Sequence, residues 1–180
     1  MRAPAVRVLA GRWKGRRLDA GATARPTSSR ARGALFDILG ERILGARVLD
    51  LYAGSGGVGI EAVSRGARSA VLVETDAAPV RRAVERLGGA GEIEVLDRPV
   101  GDALALLAAR GERFDLVFAD PPYAAAPDAG ELERCAGLLG RAGVLVLQLD
   151  ARREEPAIES LERLDRRAYG RNVFLFFGMR

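Results

Sequence analysis

The chain has 180 residues, 48% of them hydrophobic and 29% charged, which fits one soluble globular body with a sizeable core. A single cysteine, Cys135, and the absence of histidine exclude an intrachain disulfide, a Cys/His zinc centre, a Ser-His-Asp triad and any imidazole base. Net charge is +4, but nine basic side chains fall within residues 1–33 against one acid, Asp19, a basic block on a mildly acidic body that suits a polyanionic partner.

No apolar run reaches the ~20 residues of a membrane-spanning helix. The basic N-terminus lacks the apolar stretch and small-residue cleavage site of a signal peptide, so a cytoplasmic location is expected. Residues 1–28 read as short strands and turns punctuated by Gly11, Gly15 and Gly21, a basic β extension; residues 29–180 read as the main domain. Ser28 or Ser29 can cap a helix to about residue 39 with Leu35, Phe36, Ile38 and Leu39 as its apolar anchors. Arg47–Leu51 predicts a short buried strand, followed by a glycine-rich turn and a helix through Ile60–Ser64. Ala70–Glu74 predicts a second strand. A helix then starts at Pro79, with Val80, Ala83, Val84 and Leu87 on one face and Gly88 as its stop. Ile93–Leu96, a helix from Asp102, the strand Phe114–Ala119, a helix over Glu131–Leu139 and the strand Gly143–Leu149 follow. Two strands, near 163–169 and 172–178, close the chain, with Phe174, Phe176 and Phe177 expected in the core. Alternating strands and helices imply an α/β fold with a mostly parallel sheet, and ligands in such sheets bind at the carboxyl ends of the strands.

The motifs fall at those ends. Gly54, Gly56 and Gly59 form G-x-G-x-x-G in the run Val48 to Gly59, a tight turn where backbone approaches a ligand. Glu74 lies 20 residues beyond Gly54 and can accept hydrogen bonds from ribose hydroxyls. These features suit a dinucleotide or S-adenosylmethionine alike. Asp50, directly before the turn, favours S-adenosylmethionine, because it would repel a pyrophosphate and hold a cationic ammonium group. Asp102 can receive an adenine amino group or cap a helix.

Asp120-Pro121-Pro122-Tyr123 is the sharpest signal. Two prolines past a buried strand prevent ladder pairing and leave the Pro121 carbonyl free to face a cleft. An exocyclic base amine is a poor nucleophile, because its lone pair is conjugated into the ring. Hydrogen bonds from its two N–H groups to the Asp120 carboxylate and the Pro121 carbonyl free that lone pair for in-line attack on a sulfonium methyl. The same acceptors stabilise the cationic amine that forms. Tyr123 offers a face for stacking the base.

With these motifs in place, the chain resembles the RsmD-type bacterial 16S ribosomal RNA guanine-N2 methyltransferases, from about Arg7 to the C-terminus. The specific segments are G-R-W-K-G-R-R-L (Gly11–Leu18), R-P-T (Arg25–Thr27), Leu49–Gly56, Ser64–Ala67 and D-P-P-Y (Asp120–Tyr123). The resemblance implies a Rossmann-like class I S-adenosylmethionine-dependent methyltransferase with a seven-stranded, mostly parallel sheet and helices on both faces. It implies that Asp50, Tyr52, Ala53, Gly54, Ser55, Gly56, Glu74 and Asp102 bind S-adenosylmethionine and that Asp120, Pro121 and Tyr123 hold the guanine. It assigns Arg12, Lys14, Arg16, Arg17, Arg25 and Thr27 to RNA. The implied partner is 16S ribosomal RNA in the small subunit or a late assembly intermediate, with no membrane, no metal and a monomeric state. Ser29 and Gly33 stand where the family usually carries acids, and Tyr52 where Phe is usual. A DNA or RNA adenine amino-methyltransferase, a non-catalytic RNA-binding module and a nicotinamide-dependent dehydrogenase are the rival readings. The last leaves D-P-P-Y and the basic arm unexplained. Trp13 either stacks on RNA or pins the arm to the body.

Overall fold

The computed structural model describes residues 6–18, 28–122 and 128–180. Two short strands, β1 (Val6–Arg7) and β2 (Arg17–Leu18), pair antiparallel in the arm. The main body then runs α1 (Ser29–Leu39), β3 (Arg47–Leu51), α2 (Gly57–Ser64), β4 (Ser69–Glu74), α3 (Ala78–Leu87), β5 (Ile93–Asp97), α4 (Val100–Ala109), β6 (Phe114–Ala119) and α5 (Ala129–Ala136). It ends in β7 (Leu139–Asp150), β8 (Leu161–Tyr169) and β9 (Asn172–Met179).

Seven of these strands form one sheet in the order β5-β4-β3-β6-β7-β9-β8. β3 to β7 run parallel, while β9 is antiparallel to both β7 and β8. The chain builds outward from β3 to β5, then returns to lay β6 on the other side of β3. That reversal leaves a crevice at the carboxyl ends of β3 and β6, the usual ligand position in an open α/β sheet. Asp50 lies opposite Phe118 and Leu51 opposite Ala119, so the glycine turn and the D-P-P segment leave the sheet side by side.

The central strands are apolar on both faces, as parallel strands sandwiched between helices must be. Val48, Leu49 and Leu51 are buried, and so are Leu116, Val117, Phe118 and Ala119. One core packs α1, α2 and α3 on the sheet; the other packs α4 and α5 on the opposite face. Phe174 and Phe176 join the first core and Phe177 the second, as the sequence pattern leads one to expect.

The arm belongs to the first core through Val6, Val8, Trp13 and Leu18. Its backbone lies directly on the end of α2. A Cβ added to Gly11, whose φ is +79°, would stand 1.7 Å from the Ser64 carbonyl oxygen. Arg12 N–H donates to that carbonyl at 2.9 Å, and Trp13 N–H donates to Ser64 Oγ at 3.0 Å. Trp13 is buried and packs against Gly89, so it pins the arm.

Several boundaries differ from the sequence expectation, three of them informatively. α5 covers Ala129–Ala136 because Asp128 caps it, accepting from Glu131 N–H at 3.0 Å, and Leu139 already belongs to β7. α4 begins at Val100, behind Pro99, so Asp102 is in its first turn and is not its cap. β7 is longer than expected, with its start beside Phe114 of β6.

Candidate active site

A cavity of about 660 Å³ opens where β3, β4, β5 and β6 end, within the roughly 300–1,000 Å³ of small-molecule sites. Its walls include Asp50, Tyr52, Ala53, Gly54, Ser55, Glu74, Asp120 and Pro121.

Asp50 is 2% exposed and accepts a hydrogen bond from Gly59 N–H at 2.8 Å. Burial pushes its carboxyl up to about 7; the nearby Asp120 and Glu74 charges add to the rise, while the Gly59 bond and Arg32 oppose it. Glu74 is fixed by backbone. Gly54 N–H donates to its Oε2 at 2.7 Å, and Thr75 and Asp76 N–H groups donate to Oε1 at 2.9 and 3.1 Å. The turn is thus clamped by one carboxylate from the strand before it and one from the next strand.

The glycines divide by task. Gly54 faces the cavity. Gly56 and Gly59 face inward: a Cβ on Gly56 would lie 2.7–2.9 Å from Val80, Ile60 and Leu72, and one on Gly59 would lie 2.7 Å from Leu72. Gly56, at φ +73°, needs glycine for its backbone and for the close approach of α2, α3 and β4, and Gly59 for the packing of α2 on β4; Gly56 is not part of the cavity lining. Tyr52 is the non-glycine residue with positive φ, +58°, among the described residues. Its hydroxyl donates to Glu131 Oε2 at 2.6 Å, which ties the turn to α5. Burial and then Glu131 push that phenol up from its ordinary value.

Asp102 is exposed in the first turn of α4 and does not line the cavity. The wall at the end of β5 consists instead of Arg98, Pro99 and Val100, because the helix starts two residues earlier than the acid.

Asp120 follows the last residue of β6 and shares the cavity with Asp50. Gln148, 2% exposed on β7, donates from Nε2 to Asp120 Oδ2 at 3.1 Å, which orients the carboxylate. Pro121 and Pro122 line the same space. Tyr123, Arg25 and Thr27 lie outside the described residues. Arg12, Lys14, Arg16 and Arg17 are exposed along the arm; Arg12 pairs with Glu92 and stacks over the Trp13 ring, 4.1 Å from its centroid.

Sequence reasoning missed Arg32, Gln148 and Glu131. Gln148 had a visible signal, as the one polar side chain in the apolar run Val144–Leu149. Cys135 is buried, and burial pushes its thiol up to about 12, which removes it as a nucleophile. Among the described residues no three His, Cys, Asp or Glu side chains gather as a metal site.

The chain is similar to several known proteins. Residues 6–178 match the family described as "Conserved hypothetical protein 95". The Escherichia coli K12 protein named "Ribosomal RNA small subunit methyltransferase D" is 38% identical over 122 residues, covering 66% of this chain and 60% of that relative. The match thus spans less than two thirds of the relative's length. A solved hypothetical protein from Thermus thermophilus superposes with a TM-score of 0.82 at 39% identity, over 97% of this chain and 99% of that one. The rRNA methyltransferase aviRa of Streptomyces viridochromogenes shares the fold at 18% identity, with a TM-score of 0.64 and 88% of each chain covered. The fold is therefore the Rossmann-like class I methyltransferase fold, and the chain belongs to the Conserved hypothetical protein 95 family, the RsmD-type group that its motifs resemble.

Proposed function

We propose that this chain is an S-adenosylmethionine-dependent methyltransferase that modifies the exocyclic N2 amine of a guanine in small-subunit ribosomal RNA, met in the subunit or a late assembly intermediate. One observation carries the reading: Asp120 and Pro121 line the same cavity as Asp50, Gly54 and Glu74. The residues fit the cofactor. Glu74 Oε2 accepts from Gly54 and has a second lone pair for a ribose hydroxyl. Asp50, buried beside the turn, suits the ammonium group, while Val73, Val100 and Phe118 suit a heteroaromatic ring. Tyr52, Ala53 and Ser55 complete the wall.

S-adenosylmethionine, when bound, supplies an electrophilic methyl carbon on a cationic sulfur. The protein's part is to make a conjugated amine nucleophilic and to aim it. Asp120 accepts one N–H of the amine and the Pro121 carbonyl accepts the other, drawing the nitrogen toward tetrahedral geometry. Gln148 holds Asp120 in that orientation. Both acceptors act most strongly as positive charge develops on nitrogen. The extra proton is lost afterwards, so a chain without histidine can complete the reaction. Tyr123 stacks on the base, and the exposed cations Arg12, Lys14, Arg16 and Arg17, with Arg25 and Thr27, grip the RNA backbone. The name of the Escherichia coli relative supports RNA as the substrate.

Small subunits lacking the modification, incubated with methyl-labelled S-adenosylmethionine, should take up label in their RNA, mapped by mass spectrometry to guanine N2. Label on DNA, or on no nucleic acid, overturns the proposal. Asp120→Ala should lower turnover by at least roughly 10²–10³-fold, with S-adenosylmethionine affinity unchanged.

A further inference from the structure

We infer that Arg32 is the receptor for the α-carboxylate of the methionine portion of S-adenosylmethionine. The inference deepens the function proposed above and rests on its cofactor assignment.

Arg32 is the one arginine among the described residues that is fully buried, 1% exposed, and it lines the cavity beside Asp50. A guanidinium cannot shed its charge in a protein, so a buried one requires anions and acceptors for its five donors. Arg32 has few. Nη2 donates to the Arg7 carbonyl. Nε has no hydrogen-bond partner among the described residues, and the nearest carboxylate oxygen, Glu61 Oε2, stands 3.7 Å away. Glu61 is already engaged. It accepts from Leu9 and Ala10 N–H at 2.7 and 2.9 Å and from Arg65 Nε at 2.8 Å. The cation is therefore short of an acceptor at Nε, and the residue is part of the cavity lining.

Two further features identify the missing anion. Nη1 lies against the first residue of α2, where a Cβ added to Gly57 would be 3.0 Å from it. A helix N-terminus with a guanidinium beside it favours a small planar anion, which the fork of an arginine can bind through two bonds. Asp50 lines the same wall. A buried cation and a buried acid side by side match a zwitterion, with carboxylate on Arg32 and ammonium on Asp50. A nucleic-acid phosphodiester carries no such ammonium.

Calorimetric titration of the full chain with S-adenosylmethionine and with its decarboxylated analogue tests the assignment. The analogue should bind the wild type about 10- to 100-fold more weakly. Arg32→Met should lower affinity for S-adenosylmethionine by that factor and leave the analogue's affinity unchanged, which abolishes the discrimination. Arg32→Lys should recover part of it. Equal affinities in the wild type, or an equal loss of both ligands in Arg32→Met, overturns the inference while the cofactor reading stands. Binding of neither ligand by the wild type overturns both. If the Met variant fails to fold, a crystal structure of the wild type with S-adenosylhomocysteine decides. A carboxylate within hydrogen-bond distance of Arg32 supports the inference, and one directed elsewhere overturns it.

Discussion

Asp50 and Glu61 are both buried acids that hold backbone N–H groups of another segment, yet their surroundings differ. Glu61, on α2, is 0% exposed and gathers Leu9, Ala10 and Arg65, with Arg32 close by. Asp50, on β3, is held by Gly59 N–H, faces a cavity and has a carboxyl raised to about 7. A buried acid surrounded by cations and amides is an anchor, and Glu61 fastens the arm. A buried acid at a cavity wall, where burial and the neighbouring Asp120 and Glu74 outweigh Arg32, is poised to receive a cation. Two carboxylates alike in burial thus divide between architecture and chemistry.

The largest effect expected from breaking this contrast comes from Glu61→Ala. It strands the Arg32 cation and two amides, and should cost about 3–5 kcal/mol in urea unfolding. Asp50→Asn, by contrast, should leave stability equal or higher and instead weaken S-adenosylmethionine binding. Next in size is Gly11→Ala. The added Cβ collides with the Ser64 carbonyl at a positive φ, and should cost about 1–3 kcal/mol. Hydrogen exchange should show the Leu9 and Ala10 amides losing protection, with RNA methylation falling and cofactor affinity unchanged.

The pH dependence sharpens the comparison further. Because the folded-state value of Asp50 lies above its ordinary 3.8, the ligand-free protein should lose stability as pH rises from about 4 through 7, where the buried group is forced to ionise. A cationic ligand favours the ionised form. S-adenosylmethionine affinity should therefore rise up to about tenfold per pH unit below 7 and level off above it. Titration of the wild type and of Asp50→Asn checks this, since the variant should lack the slope. The smallest effect is a gain. Gly33 sits inside α1 with Leu9 Cδ1 3.8 Å from an added Cβ, an ordinary contact. Gly33→Ala should stabilise the protein by about 0.5–1 kcal/mol in the same urea measurement.

Much of this was legible from local pattern. The strands Arg47–Leu51 and Phe114–Ala119 have the bounds expected from their apolar runs, and Ser28 caps α1. The shared location of Asp50, Glu74 and Asp120 follows from placing each motif at a strand's carboxyl end. What local pattern does not carry depends on how separate elements meet. Gly56 has the glycine signature of a ligand-facing turn, but its contacts with Val80, Ile60 and Leu72 come from three different elements. Asp102 reads as a helix start, but Pro99 sets that start earlier. Arg32 reads as one more cation of a basic segment. Only the packing of α1 against the arm and α2 turns it into a buried group. Gln148 serves Asp120 because β7 lies next to β6, an adjacency that no spacing within either strand encodes.

The pairing of β3 with β6 has one more consequence. Since Asp50 faces Phe118 across a continuous ladder, the interval between the two halves of the crevice is set by peptide groups and cannot drift with any side chain's rotamer. Sliding either strand by one residue would turn its acid to the far side of the sheet. On the proposed function, the two ends of the reaction are therefore ruled off on one rigid scale, and changes in the loops beyond it would alter which base is received without altering how far a methyl group must travel.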